Sequence, residues 1–266
     1  MTQSIGPTWA NLLWSTLPVL VVLALLSWRR LGQVTPLAVS MLRLVAQLGL
    51  LSMALGWIFA AQSPWIVGAV TLAMLLVSAH TVGSRQVGRR WEVRVEAFIS
   101  IGLATIIVMV VALRLALRLT PWYDARTVIP LVGMVLGNSL TGVSLAAERL
   151  EGELRAERDR VELRLALGAT SRQAALPALR AAVRAALTPI INNMAIAGIV
   201  SIPGMMTGQL LAGADVNDAL RYQILIYLAI SGTVGLGTLG LLALRLRRYF
   251  TPAYQLRADR LGTPGG

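Results

Sequence analysis

The sequence predicts an all-α protein that crosses a membrane about seven times, with its N-terminus outside and a helical hairpin inside. Three observations predict this. Of 266 residues, 56% are hydrophobic and 14% charged, and mean hydropathy is +0.69; ordinary soluble domains carry about 25% charge. Seven apolar runs are long enough to span a hydrocarbon core, which takes ~20 helical residues. The basic residues, all arginine, sort strongly by segment. A net charge of +12 on a soluble chain would suggest a nucleic-acid binder. Here the apolar content argues against that partner and for the lipid bilayer, because water could not solvate so much apolar surface.

The runs come in order. Residues 11–28 form the first. A cleaved signal peptide normally has a positive start, but residues 1–10 are uncharged and Arg29-Arg30 follow the run. This is the pattern of an anchor with its N-terminus outside. Residues 36–60 form the second run, interrupted by Arg43 and Gln47. The third is 64–82. The fourth is 95–117, with Arg114 near its end. The fifth is 128–147. The sixth, 188–211, is broken by Pro203-Gly204. The seventh is 222–246. With an odd number of crossings, nineteen of the 24 arginines fall inside, four outside, and Arg43 in the membrane. That bias is the positive-inside rule. The chain reads as one transmembrane domain, 1–266, with a cytoplasmic hairpin at 148–187 and a cytoplasmic tail at 247–266.

The hairpin differs from everything else. Residues 148–164 hold 11 charged residues in 17, and Leu150, Leu154, Val161 and Leu165 recur on one helical face. Glu151 precedes Arg155 by four, the favourable order for a helical pair. The fifth span therefore extends beyond the membrane as an amphipathic helix. Gly168 suits a helix C-terminus, and Thr170 or Ser171 the N-cap of the next helix. Arg172, Leu176, Arg180 and Arg184 then recur at four-residue spacing, with Pro177 expected to kink that second helix. The corner reads either as a solvated hairpin or as a docking element that passes motion to the helices continuous with it.

Polar residues inside the runs are candidate path residues, because ionisable groups in a span usually face the bundle interior or water. Arg43 lies about seven residues into its run, and Gln47 lies one turn deeper on the same face. The alternative is that Arg43 snorkels to the interface. Asn138, Ser139 and Thr141 form a second patch, and Asn192 and Asn193 a third; either patch could instead bond neighbouring helices. Gly133 with Gly137, and Ser231, Thr233, Gly235 and Gly237, mark sites of close helix packing. The segment Pro203-Gly204-Met205-Met206-Thr207-Gly208-Gln209 is a breaker at membrane depth or a helix end.

The chemistry open to such a chain is narrow. Without Lys there is no Walker A motif, Schiff base or Ser–Lys dyad, and without Cys no thiolate site. His80 stands alone near the end of the third run, far from the His-Glu-x-x-His pattern of an intramembrane metalloenzyme. No acidic residue lies deep in a span and no inverted repeat is visible, which disfavours a secondary transporter.

The run Val200-Ser201-Ile202-Pro203-Gly204-Met205-Met206-Thr207-Gly208-Gln209-Leu210-Leu211-Ala212-Gly213, followed by Arg221-Tyr222-Gln223-Ile224, resembles the hallmark of the FetB-type permeases. These are bacterial iron-export permeases of ABC transporters and plant aluminium-tolerance relatives. Arg43 with Gln47-Leu48, Gly137-Asn138-Ser139, Leu167-Gly168-Ala169 with Gln173-Ala174, and Pro189 with Asn192-Asn193 match in order. The resemblance implies a permease of the bacterial inner membrane, with its C-terminus cytoplasmic, that pairs with a separate ABC ATPase. Leu167, Gly168, Ala169 and Thr170 would couple to it. ATP and Mg would sit on the partner, and this chain would carry no cofactor or catalytic residue of its own. Two permease copies are expected, and no nucleic acid. The translocation path would use Arg43, Gln47, Asn138, Asn192, Asn193, Pro203, Gly204, Met205, Met206 and Gln209. The resemblance implies iron as substrate. The residues name no metal site: Met205 and Met206 are soft donors or plain apolar filler, and Arg43 would repel a bare cation and attract an anion or chelate.

Overall fold

A computed structural model describes residues 9–84 and 90–261. The uncharged start at 1–8, Arg85, Arg89 and the end of the tail at 262–266 lie outside the described residues. The described residues form ten α-helices: α1 (Trp9–Trp28), α2 (Val34–Ala61), α3 (Pro64–Ser84), α4 (Arg90–Val110), α5 (Ala125–Ala156), α6 (Arg158–Ala166), α7 (Ser171–Ala174), α8 (Leu176–Ile196), α9 (Gly204–Leu211) and α10 (Val216–Tyr249). A π-helical segment, Val111–Ala116, continues α4. No strand forms among the described residues. Six helices, α1 to α5 and α10, are long and apolar enough to cross a membrane. They overlie six of the seven apolar runs.

The seventh case is the sixth run, and there the structure departs from expectation. Residues 188–211 are not one helix broken at Pro203. Instead α8 ends at Ile196, Ala197 turns extended, and Gly198 takes φ +79°, a left-handed conformation that glycine adopts without strain. The Gly198 amide donates to the Ser201 carbonyl at 2.9 Å, closing a tight turn. Pro203 then N-caps α9. Proline costs nothing at a helix start, since its missing N–H is not needed there. Pro203-Gly204 thus opens a helix. Pro177 lies in the first turn of α8, and the helix expected to begin at Arg172 is interrupted just before it, at Ala175 between α7 and α8.

The chain forms two contact units, one up to Ala61 and one from Gln62 onward. In the first, α1 and α2 leave their apolar residues largely exposed, and Ile58 is the one buried residue described. In the second, α10 packs against α4, α5 and α8, and α5 packs against α3 and α8. Small residues set these approaches. A Cβ at Gly142 would lie 2.7 Å from Val234 Cγ1 and 3.1 Å from the Ala186 carbonyl oxygen. On α10, Gly237 faces Ala104 and Ile101, and Gly240 faces Ser100. Of the expected pair on α5, Gly133 touches only the Met74 methyl, while Gly137 has open space around it. Hence Gly142→Val is expected to cost about 1–3 kcal/mol by overpacking, and Gly137→Ala close to nothing. Thermal unfolding of the two variants in detergent checks this contrast.

Candidate functional site

The hairpin corner is built from sequence-local rules. Beyond its apolar run, α5 buries Leu150 and Leu154 completely. They share one core with Val161 of α6, Ala174 of α7, and Ala178, Ala182 and Ala186 of α8; Leu165 packs against its edge. The return helix therefore approaches α5 along an alanine stripe, whereas Arg172, Arg180 and Arg184 are exposed. Gly168 has φ +88° and ends α6. Its amide donates to the Leu165 carbonyl, and the Ala169 amide to the Arg164 carbonyl, both at 3.0 Å. This double bond pattern is the Schellman closure, which needs the left-handed residue. One residue later Thr170 opens α7 with a reciprocal capping box. Its amide donates to Gln173 Oε1 at 2.9 Å, and the Gln173 amide donates back to Thr170 Oγ1 at 3.3 Å. Both helix ends at the apex are satisfied locally, so the corner holds its shape without a partner.

Its surface is nonetheless apolar at the tip. Leu167 is 79% exposed and Leu163 60%. On one side a concavity is lined by Thr170, Arg172, Leu246, Phe250 and Tyr254. On the other, Leu165, Gly168, Ala169, Tyr254 and Leu256 line a second. The tail therefore flanks the corner on both sides. It is held by the Arg257 amide donating to the Tyr249 carbonyl at 2.8 Å, and by buried Phe250 and Leu261.

Beside the hairpin core lies a charged cluster that sequence reading did not find. Arg245 of α10, 3% exposed, has Nε 3.3 Å from Glu96 Oε2 of α4 and Nη1 3.4 Å from Glu151 Oε2 of α5. Arg245 Nη1 donates to the Tyr249 hydroxyl at 2.8 Å, and that hydroxyl donates to Glu151 at 3.2 Å. Arg155 pairs with the other Glu151 oxygen at 2.9 Å, as the four-residue spacing predicted. Arg248 bridges Glu92 at 2.6 Å and Glu96 at 3.1 Å. The Arg245 pairs join residues 94 and 149 positions apart in sequence. No helical spacing signals such a contact. The only legible hint was that Glu96 and Arg245 stand at the ends of apolar runs.

The expected path residues are distributed differently. Arg43 and Gln47 lie on α2 in the first unit, both exposed. Asn138 is half-buried and donates its amide to the Met134 carbonyl at 2.8 Å, within its own helix. Asn192 and Asn193 are exposed near the end of α8. One residue on, Met194 Sδ accepts from Ser231 Oγ of α10 at 3.4 Å. Pro203, Met205, Met206 and Gln209 are half-buried and Gly204 is exposed, all at or within α9, which packs on α10. Gln209 Oε1 is buried without a partner in the protein. His80 is exposed near the end of α3. Among the described residues no three of His, Asp and Glu gather to hold a metal ion.

Comparison with known proteins identifies relatives of the chain. A family described as "Uncharacterised protein family (UPF0014)" matches residues 9–250. A UPF0014 membrane protein of Synechocystis sp. is 36% identical over 248 residues, 93% of this chain and 96% of that protein. "Protein ALUMINUM SENSITIVE 3" of Arabidopsis thaliana is 33% identical over 82% of this chain and 78% of its own length. "Probable iron export permease protein FetB" of Escherichia coli is 35% identical over 134 residues, 50% of this chain and 52% of that protein. No solved structure matches the chain.

Proposed function

The chain belongs to the UPF0014 family of membrane proteins, and we propose that it is the permease subunit of an ABC transporter, driven by a separate ATPase and exporting iron or a related metal species. The observation that carries this reading is the corner at Leu167–Thr170. It is closed by its own hydrogen bonds, apolar at its tip, and joined through α6 to α5, a helix long enough to span. A partner seated there would move α5 and α8 as levers. The relative named as an iron export permease supports the transport class.

The charged cluster supports a topology. Glu96 at the start of α4, Glu151 near the end of α5 and Arg245 near the end of α10 meet at one end of the bundle. On our reading α10, which is long and apolar enough to span, crosses with its start on the opposite side, and the chain crosses back between Glu151 and Val216. At 1.5 Å per residue, the ten residues 187–196 give about 15 Å and the eight of α9 about 12 Å. With the turn between them they match a core of about 30 Å. We read residues 187–211 as a crossing made of two half-helices, a form used where backbone lines a cavity. Seven crossings put the hairpin and tail in the cytoplasm and the N-terminus outside the inner membrane. The uncovered faces of α1 and α2 suit contact with lipid or with a second permease copy, which two-fold symmetry favours.

The second reading of the substrate is an organic anion or a metal chelate. Arg43 favours it, as a fixed positive charge within an apolar helix. The experiment is co-purification with its ABC ATPase, then ATP-driven uptake into inverted vesicles. Ferrous iron uptake is expected to exceed that of citrate. The reverse order selects the second reading, and no ATP-dependent uptake of either overturns the transport assignment.

A further inference from the structure

We infer that a groove between α3, α4 and α5 holds one acyl chain of an anionic phospholipid, with the lipid phosphate on Arg114. The groove encloses about 480 Å³ within the second unit, a size typical of small-molecule sites. Its walls are apolar except for Thr71, Thr105 and, at one end, Arg114. On α4 the lining runs from Gly102 to Arg114. Twelve residues at 1.5 Å rise make about 18 Å, close to one leaflet of a core about 30 Å thick. An acyl chain is the apolar ligand whose length this matches.

The mouth has interfacial chemistry. The Arg114 guanidinium lies 5.9 Å from the Trp122 ring centroid. Tryptophan and arginine at the end of a span mark the headgroup level. Arg114 projects from the π-helical segment Val111–Ala116, where the Leu117 amide reaches the Ala112 carbonyl. Such segments are frequent at functional sites. The wider turn places both Leu113 and Arg114 along the groove. A single exposed guanidinium above an apolar slot complements an anionic head carrying an alkyl tail, and it has no preference for a zwitterionic one.

The test uses delipidated full-length protein in nonionic detergent, titrated with dioleoyl phosphatidylglycerol or dioleoyl phosphatidylcholine and read by native mass spectrometry. The first phosphatidylglycerol is expected to bind at least tenfold more tightly than phosphatidylcholine. Arg114→Gln, at an exposed position, should remove that preference. A Cβ at Gly68 meets nothing within 4 Å, so Gly68→Leu should fill the groove and weaken both lipids at least tenfold. Equal binding of the two lipids by the wild type overturns the proposal. So does wild-type binding by Gly68→Leu, which would mean that another helix, from this chain or a second copy, covers the groove.

Discussion

Arg245→Met is expected to destabilise the protein by about 3–5 kcal/mol, because the buried carboxylates of Glu96 and Glu151 would lose their one buried cation and keep only the partly exposed Arg248 and Arg155. Glu96 and Glu151 are 5% and 7% exposed, so water cannot take over the role of the guanidinium. At about 2–4 °C per kcal/mol for a domain of this size, the midpoint of unfolding in detergent should fall by roughly 10 °C. Arg248, whose side chain is about one-third exposed, should matter much less. Ion pairs at such exposure are worth about 0–1 kcal/mol. The diagnostic variant is Arg245→Met combined with Glu96→Gln and Glu151→Gln. Removing all three charges should recover most of the loss, because the penalty lies in buried carboxylates that have lost Arg245 and not in packing around Met. If Arg245→Met melts within 2 °C of the wild type, the cluster is hydrated and does not clamp α4, α5 and α10 together. Failure of the triple variant to recover would place the cost in side-chain packing.

The sequence exposed what depends on local spacing and hid what depends on where helices meet. Six apolar runs became α1 to α5 and α10 because an uninterrupted apolar helix satisfies its own backbone in lipid. Leu150, Leu154 and Val161 were legible as a face, and Gly168 with Thr170 as a corner, because caps use residues within six positions of each other. The break in the sixth run was misplaced for a physical reason. Proline draws attention as a breaker, yet at a helix start it is harmless, and Ala197-Gly198 makes the turn. The alanine stripe of α8 was overlooked beside its arginines, since alanine carries no polarity signal and acts only by letting backbones approach. Among the expected path residues, Arg43 and Gln47 share a face as their spacing requires. Asn138 bonds its own helix, a choice no spacing announces.

Leu167→Asp is expected to weaken assembly with the proposed ATPase partner by at least 30-fold while leaving the permease fold intact. The two halves of that statement rest on different observations. Leu167 is 79% exposed and its backbone already closes the end of α6, so an aspartate there removes no internal contact and should shift the unfolding midpoint by no more than about 1 °C, as surface changes usually fall within ±0.5 kcal/mol. An exposed leucine at the apex of a self-supported corner is, however, the shape of an interface anchor. Anchors of this kind are worth about 2 kcal/mol or more, and a buried unpaired carboxylate adds to the loss. Gly168→Val separates shape from chemistry. Its Cβ meets no atom within 4 Å, so the substitution acts only through the left-handed backbone, at about 1–2 kcal/mol. It should tilt the tip and reduce ATP-driven transport more than it reduces binding. The measurements are ATPase retention on immobilised permease and ATP-dependent vesicle uptake, side by side. If Leu167→Asp retains the ATPase at wild-type affinity, the corner is a solvated hairpin and the proposed partner docks elsewhere, with the tail segment around Tyr254 the next surface to substitute.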